Sequence, residues 1–448
     1  MRKTETENFR PRRYNYPISE TKFEYKENKI VGKIIYFFYL STKDSLFVFF
    51  FISIFVYALQ IAMFLPMWQK PKYDDCMWLF RIICLDIFRT KPVKRLLNIL
   101  LCTIILQTIL QSIIFLQIST RAYWIKFSSM YCSSFFIIIS IYSTPRIADA
   151  VINSLESSDV WPINAASRTI EQKIKLEVLY LNTFLIVSIC LSLTGGVLHT
   201  IPLDDDREIF YTIAMIEDYL PQWKNVLCFM YRSSFLILPL LMGTPFYIAI
   251  YMCCQMRFQV YMLLHQWESL DQKLITNITD DEKYNEMVKK LLVLSIQKNS
   301  RIQRTSRKLI NDFKHFVFLF TVVGALQIIC LIFFVISFEG SLERRYSRFA
   351  MMTIPSGLVF IHVIVNGQMV EDITNRAFDE VLKSLDWSRW NKENKKLYLI
   401  VLSNNQKPLK LKFSESVSLN YKLGLGILKS AYSIVSLLWY LKKKSDLD

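Results

Sequence analysis

The chain is short of the residues that build most catalytic sites. Its 448 residues include four histidines: His199, His265, His315 and His362. None stands in HExxH or beside another at ligand spacing, which argues against a histidine-held metal. No P-loop, GxGxxG or GxSxG string occurs, so nucleotide and nucleophile-elbow chemistry have no seat. The expectation is a protein that is not an enzyme, with no metal and no cofactor. The nine cysteines (Cys76, Cys84, Cys102, Cys132, Cys190, Cys228, Cys253, Cys254 and Cys330) are odd in number and lack CxxC or zinc spacing. Most lie in or beside apolar runs and read as buried free thiols. Glycine (10) and proline (13) are sparse. No cleavable signal peptide is expected, because the start is charged and has no early apolar core.

What is abundant is apolar. Hydrophobic residues make up 52% and aromatics 15%, with a mean hydropathy of +0.27. Uninterrupted apolar blocks reach the ~20 residues that a bilayer crossing needs. The fold class is therefore all-α, a polytopic membrane protein. A net charge of +16 fits basic cytoplasmic loops and anionic lipid headgroups. The basic residues are scattered among the spans, so nucleic acid is not an expected partner and membrane lipid is.

Eight apolar segments stand out: Leu46–Leu65, Leu96–Ile118, Phe127–Tyr142, Leu176–Leu198, Ser233–Met256, Phe316–Phe338, Phe349–Val370 and Val417–Leu441. The third extends upstream through Tyr123 and Trp124, aromatic residues suited to an interface. Pro239, Pro245 and Pro355 predict kinks in the fifth and seventh segments. The last segment carries Lys429 near its middle. An ionisable residue within a span is costly and points to function, unless it lies near an interface and snorkels.

Loop charge sets an expected orientation. Asp204–Lys224 is acidic at its start and reads as external, whereas Arg257–Lys314 is basic and reads as cytoplasmic. Arg146–Lys175 and Glu371–Lys412 are then inside and the C-terminus outside, with Lys442, Lys443 and Lys444 running against the rule. The Leu46–Leu65 block is surplus to a seven-span core. It either spans the membrane or lies on it, and the ten Lys/Arg of Met1–Asp44 argue against export. The expected organisation is an N-terminal extension (1–72, hydrophobic helix 46–65), spans one to four within 73–258 (96–118, 123–142, 176–198, 233–256) and a cytoplasmic segment 259–315. Spans five and six (316–370), a cytoplasmic helix 371–416, a seventh span 417–441 and an external tail 442–448 complete it. Val260, Leu263, Leu264, Trp267, Leu270 and Leu274, with Met287, Leu291, Leu294 and Ile302, recur at helical spacing outside the spans. Ile373, Ala377, Val381 and Leu385, with Leu397, Leu399 and Leu402, do the same. Such faces pack within the chain or against another subunit.

The stretch Gly367-Gln368-Met369-Val370-Glu371-Asp372, then Ala377-Phe378, Trp387, Lys395-Lys396-Leu397 and Asn405-Gln406-Lys407-Pro408-Leu409, resembles the end of an insect odorant receptor. So does the closing Gly426-Ile427-Leu428-Lys429-Ser430-Ala431-Tyr432-Ser433-Ile434-Val435-Ser436-Leu437-Leu438. Phe80-Arg81-Ile82-Ile83-Cys84-Leu85 resembles the short helix before that family's first span. The resemblance covers roughly Met77 to Leu441. It implies a seven-transmembrane-helix bundle of insect chemoreceptor type with cytoplasmic anchor helices, and here an extra N-terminal hydrophobic helix. It implies an odorant-gated, non-selective cation channel in the plasma membrane of olfactory sensory neurons, a heterotetramer with a shared co-receptor subunit.

The resemblance further places a ligand pocket for a small volatile odorant in the outer half, between spans two, three, four and six. The residues there are Phe127, Tyr131, Cys190, Thr194, Tyr231, Phe235, Phe349 and Met352. The final span would line the pore, with Leu437 and Leu441 as gate, Tyr440 near the mouth and Lys429 in a vestibule. A gustatory receptor shares this architecture, but its closing TYhhhhhQF string is missing. A G-protein-coupled receptor would need the opposite orientation. A transporter would need repeats and more buried charge.

Overall fold

The computed structural model describes residues 75–117, 121–157, 166–203, 206–277, 281–337, 343–384, 387–405, 410–411 and 417–445. All belong to one compact unit, Ile52–Asp448. The expected N-terminal extension with its 46–65 helix lies outside the described residues, as does the end of the tail. Every regular element among the described residues is helical.

A short entry helix comes first: α1 (Trp78–Arg81), a π turn (Ile82–Asp86) and α2 (Ile87–Arg89). The bundle follows as α3 (Lys91–Gln117), α4 (Arg121–Ser157) and α5 (Arg168–Thr200). A connecting region holds α6 (Asp206–Ile209), α7 (Tyr211–Tyr219) and α8 (Lys224–Ser234). Then come α9 (Leu238–Asn277), α10 (Asp281–Ser337), α11 (Glu343–Ser384), α12 (Lys392–Asn405) and α13 (Tyr421–Ser445).

Among the described residues six stretches are long and apolar enough to cross a membrane: Lys91–Ile113, Met130–Glu156, Arg168–Thr200, Pro221–Gln266, Asp281–Cys330 and Thr353–Arg376. The chain is an all-α, multi-pass membrane protein. Helix α13 is not among the six. Its length is sufficient, ~37 Å at 1.5 Å per residue, but Lys422, Lys429 and several serines and glycines dilute its hydropathy. Proline acts differently at different sites. Pro245 and Pro355 lie inside α9 and α11. Pro239 kinks nothing: the chain breaks at Phe235–Ile237, and Pro239 stands in the first turn of α9, where a missing N–H costs little.

Helix α9 is the hub, packing against α4, α5, α10 and α11. Its face Tyr247, Ile248, Tyr251, Cys254 and Phe258 is buried. The entry helix docks against it. Phe80 is fully buried between Tyr247 and Tyr251, with ring centroids at 6.3 and 6.5 Å. Asp75 accepts from Tyr251 Oη at 2.6 Å and from Gln255 Nε2 at 3.0 Å. Burial pushes the Cys84 thiol of this helix up, which keeps it protonated and unreactive.

Charge also enters the core. Arg257 of α9 is 3% exposed and donates through Nη2 to Glu177 Oε2 of α5 at 2.7 Å. Its Nη1 reaches Asn366 Oδ1 of α11 at 3.1 Å. Tyr261 Oη donates to the other Glu177 oxygen at 2.9 Å, and Cys254 Sγ lies 3.2 Å from Asn366 Oδ1. Three helices are thus joined through one guanidinium. Leaving either charge alone there costs ~3–5 kcal/mol, whereas an apolar pair of similar volume costs far less.

A second core lies beyond the bundle. Leu263 of α9, Val288 and Leu292 of α10, and Trp390, Tyr398 and Val401 cluster there, with Leu291, Ile302, Leu397 and Leu402 against them. Asn394 Nδ2 donates to Asn285 O at 2.8 Å, and Trp390 Nε1 to Tyr284 Oη at 3.1 Å. Part of the apolar spacing seen in sequence is therefore satisfied within the chain. Leu399 and Ile400 remain exposed.

The motif Gly367–Asp372 acquires a physical role. A Cβ at Gly367 would overlap the carbonyl oxygen of Leu419. Gln368 Oε1 accepts from Tyr421 N at 3.2 Å, at the start of α13. Glu371 holds Lys410 at 2.6 Å and Asn420 Nδ2 at 3.3 Å. This segment of α11 seats the backbone that leads into α13.

Two outcomes follow for purified protein in detergent. Glu177→Ala should lower the thermal midpoint and the monodisperse peak on size exclusion, and Glu177→Met with Arg257→Met should recover much of both; a double variant as weak as the single one would contradict a buried-charge origin. Gly367→Ala should cost ~1–3 kcal/mol through overpacking, measured by the same melt, while Gly357→Ala, with open space around it, should be neutral.

Candidate functional site

One end of the bundle is closed by the segment between α5 and α9. Asp206 is 1% exposed and begins α6. Its Oδ2 accepts from Arg232 Nη2 at 2.9 Å and Nε at 3.1 Å, and from the Leu203 amide at 3.0 Å. This buried pair folds α8 back over α6. Lys224 and Glu217 at 3.0 Å and Arg207 and Asp218 at 2.6 Å are exposed pairs that add little. The acidic run read in sequence as a loop marker is partly a structural tether.

Aromatic rings gather beneath this tether. Phe210 and Phe235 are buried, with centroids 5.3 Å apart, and Tyr231 lies 5.4 Å from Phe235. The His199 ring stacks on Phe235 at 5.2 Å. Met130 of α4, Ile213 of α7 and Cys228 of α8 complete the cluster. Gly196 of α5 permits the approach, since a Cβ there would stand 2.6 Å from the Phe235 carbonyl oxygen.

Helix α3 adds hydrogen-bonding groups beside the rings. Gln107 and Gln111, one turn apart, both donate through Nε2 to Thr212 Oγ1 of α7, at 3.0 and 3.4 Å. The Tyr231 phenol stands close to the Thr212 hydroxyl. Ser112 Oγ and Tyr131 Oη are 2.7 Å apart. Thr108 and Ser112 return their hydroxyls to the carbonyls one turn back. An apolar wall with a few convergent polar groups suits a small, mostly apolar ligand.

The structure brings Tyr131, Tyr231 and Phe235 to this end of the bundle and packs Tyr231 directly on Phe235. Cys190 and Thr194 are exposed on α5, the Thr194 hydroxyl bonded to the Cys190 carbonyl at 2.8 Å. They do not join the group. Phe127, Phe349 and Met352 lie within helices, and their side chains are outside the described residues. His199, Phe210, Gln107, Gln111 and Thr212 escaped the sequence reading. A signal was available for two of them: glutamines four residues apart in an otherwise apolar span mark one polar face.

Helix α13 presents three faces. One, with Leu423, Ile427, Ala431 and Ile434, turns to α10 and shares with Thr321, Ala325 and Ile329 a groove of about 440 Å³. A second, Tyr421, Leu425, Leu428, Tyr432 and Trp439, is apolar and exposed. The third carries Lys422, Lys429, Ser433, Ser436 and Tyr440, aligned at 3.6 residues per turn and exposed. Leu437, 58% exposed, flanks this polar stripe. The Leu441 side chain lies outside the described residues.

No protein-family model and no curated protein matches the chain. Solved structures do. The insect olfactory receptor OR5 from Machilis hrabei superposes with a TM-score of 0.61 at 14% identity, over 81% of this chain and 96% of that one. The same receptor in complex with eugenol gives 0.59 at 13% identity, over 82% and 97%. The agreement runs through nearly the whole receptor and rests on backbone rather than shared residues: the chain carries the insect olfactory-receptor fold.

Proposed function

We propose that the chain is an odorant receptor, a ligand-binding subunit of an odorant-gated, non-selective cation channel. Its partners are a shared co-receptor subunit in a heterotetramer, a small volatile ligand and membrane lipid. It sits in the plasma membrane of olfactory sensory neurons. The observation that carries this reading is α13. A lipid-facing helix has no use for an exposed stripe of two lysines, two serines and a tyrosine. A helix lining a water-filled pore does. Helix α13 is then the seventh span, with Arg257–Lys314 and Glu371–Lys412 cytoplasmic.

The ligand site of this reading is the aromatic cluster packed with α7 and α8, beside which Tyr131, Tyr231 and Phe235 stand. The relative with eugenol bound supports a small organic ligand for the fold. Phe127, Cys190, Thr194, Phe349 and Met352 stay on the roster of lining residues, Cys190 and Thr194 only if the outer end of α5 turns inward in the assembly. Leu437 and Leu441 form the hydrophobic gate, Tyr440 stands at the mouth, and Lys429 holds water in the vestibule. Ligand binding opens the gate to the extent that it binds the open state more tightly.

The deciding measurement is volatile-evoked current in cells expressing the chain with and without a co-receptor subunit. Current is expected only from the pair, and robust current from this chain alone would overturn the tuning-subunit reading. Within that assay, Leu437→Ala should raise the ligand-independent current several-fold by wetting the gate. Lys429→Gln should increase single-channel cation conductance without moving ligand potency; an unchanged conductance would remove Lys429 from the pore.

A further inference from the structure

Gln111 of α3 is 7% exposed. Its Nε2 donates to Thr212 Oγ1 at 3.4 Å, but its Oε1, fully buried, has no partner among the described residues. Buried amide oxygens are almost always paired. The neighbouring donors are already committed. A threonine hydroxyl has one proton and two lone pairs. Gln107 and Gln111 fill the lone pairs of Thr212, and the Tyr231 phenol stands close to the same hydroxyl. In the structure the Gln111 amide turns its nitrogen to Thr212 and its oxygen away. Ser112 and Tyr131 bond to each other. What the site lacks is one hydrogen-bond donor, beside Tyr231 and its ring partner Phe235.

We infer that Gln111 Oε1 is a specificity-determining acceptor, and that the ligand class is volatile alcohols and phenols, whose O–H donates to it. This rests on the odorant-receptor reading and names the ligand chemistry of the same site. An apolar wall discriminates weakly between molecules of similar size, whereas a buried polar group that must be paired discriminates strongly. A ketone, ester or ether brings only acceptors and leaves Gln111 unpaired while displacing any water that served it.

The test uses matched pairs on the chain co-expressed with a co-receptor: 4-ethylphenol against 4-ethylanisole, and 1-hexanol against hexyl methyl ether, with a broader set of esters, ketones and terpenes alongside. The hydroxyl member should be at least about tenfold more potent, the value of one net hydrogen bond. Gln111→Met keeps the side-chain volume and should bring each pair to equal potency, with surface labelling as the control. Should that variant fail to reach the surface, the wild-type pairs decide alone. Equal potency in the wild type, a preference that survives in Gln111→Met, or activation only by compounds without O–H overturns the inference and leaves the receptor reading standing. Silence to every volatile overturns both.

Discussion

One ion pair holds the bundle together in three directions. Arg257 on α9 takes Glu177 from α5 and Asn366 from α11, and Tyr261 closes the second carboxylate oxygen. Apolar packing cannot supply this directionality, because in lipid the tails are as apolar as leucine and helices gain little from hiding leucine against leucine. The pair costs desolvation and returns it only through good geometry, here with both Nη atoms of Arg257 and both Glu177 oxygens engaged. That requirement specifies the angle and depth at which three helices meet. The neighbouring packing conforms to it: Phe184 stacks on His362 at 3.7 Å, and His362 bonds Tyr180 at 2.8 Å, both between α5 and α11.

From this point the structure extends toward both ends through the same helices. Helix α5 carries Glu177 at one depth and Gly196 and His199 at the other, where the aromatic cluster packs. Helix α11 carries Asn366 and, one residue on, the Gly367 seat for the backbone of Leu419. The start of α13 is thereby fixed to α11 by Gln368 and Glu371. The aromatic cluster and the last helix are each tied to a helix that meets at Arg257.

Much of this was legible in sequence, and the failures have physical causes. Apolar runs identify spans because lipid demands ~20 such residues whatever their neighbours. The all-α, multi-pass class followed directly. Helix ends were less legible, because α9 and α10 continue far past the apolar window into amphipathic turns that pack with α12. Pro239 was read as a kink since periodicity cannot show where a helix begins. The polar face of α13 was visible as Lys429 and its neighbouring serines. The aromatic cluster was only half visible. Tyr131, Tyr231 and Phe235 were named from their depth in the spans, but Phe210 and Thr212 come from a connecting segment that no span pattern describes. Cys190 and Thr194 sit on the exposed side of α5 because depth says nothing of azimuth without a neighbour to define it.

The polar groups of the spans divide by whether they are satisfied. Arg257, Glu177 and Asn366 find partners on neighbouring helices, and Asp206 finds Arg232; these act as fasteners. On the α13 stripe Ser433 and Ser436 bond only to carbonyls one turn back on their own helix, and Gln111 Oε1 finds no partner among the described residues. In water such groups would mean nothing, since solvent completes them. Within the depth of a bilayer an unpaired amide or a lysine must meet something polar that the single chain does not supply. For a stripe running from Lys422 to Tyr440 the fitting complement is a column of water shared with other subunits. For a single buried oxygen beside aromatic rings it is one small molecule with a proton to give. The same constraint that makes Arg257 a structural centre therefore bears on these two places as well.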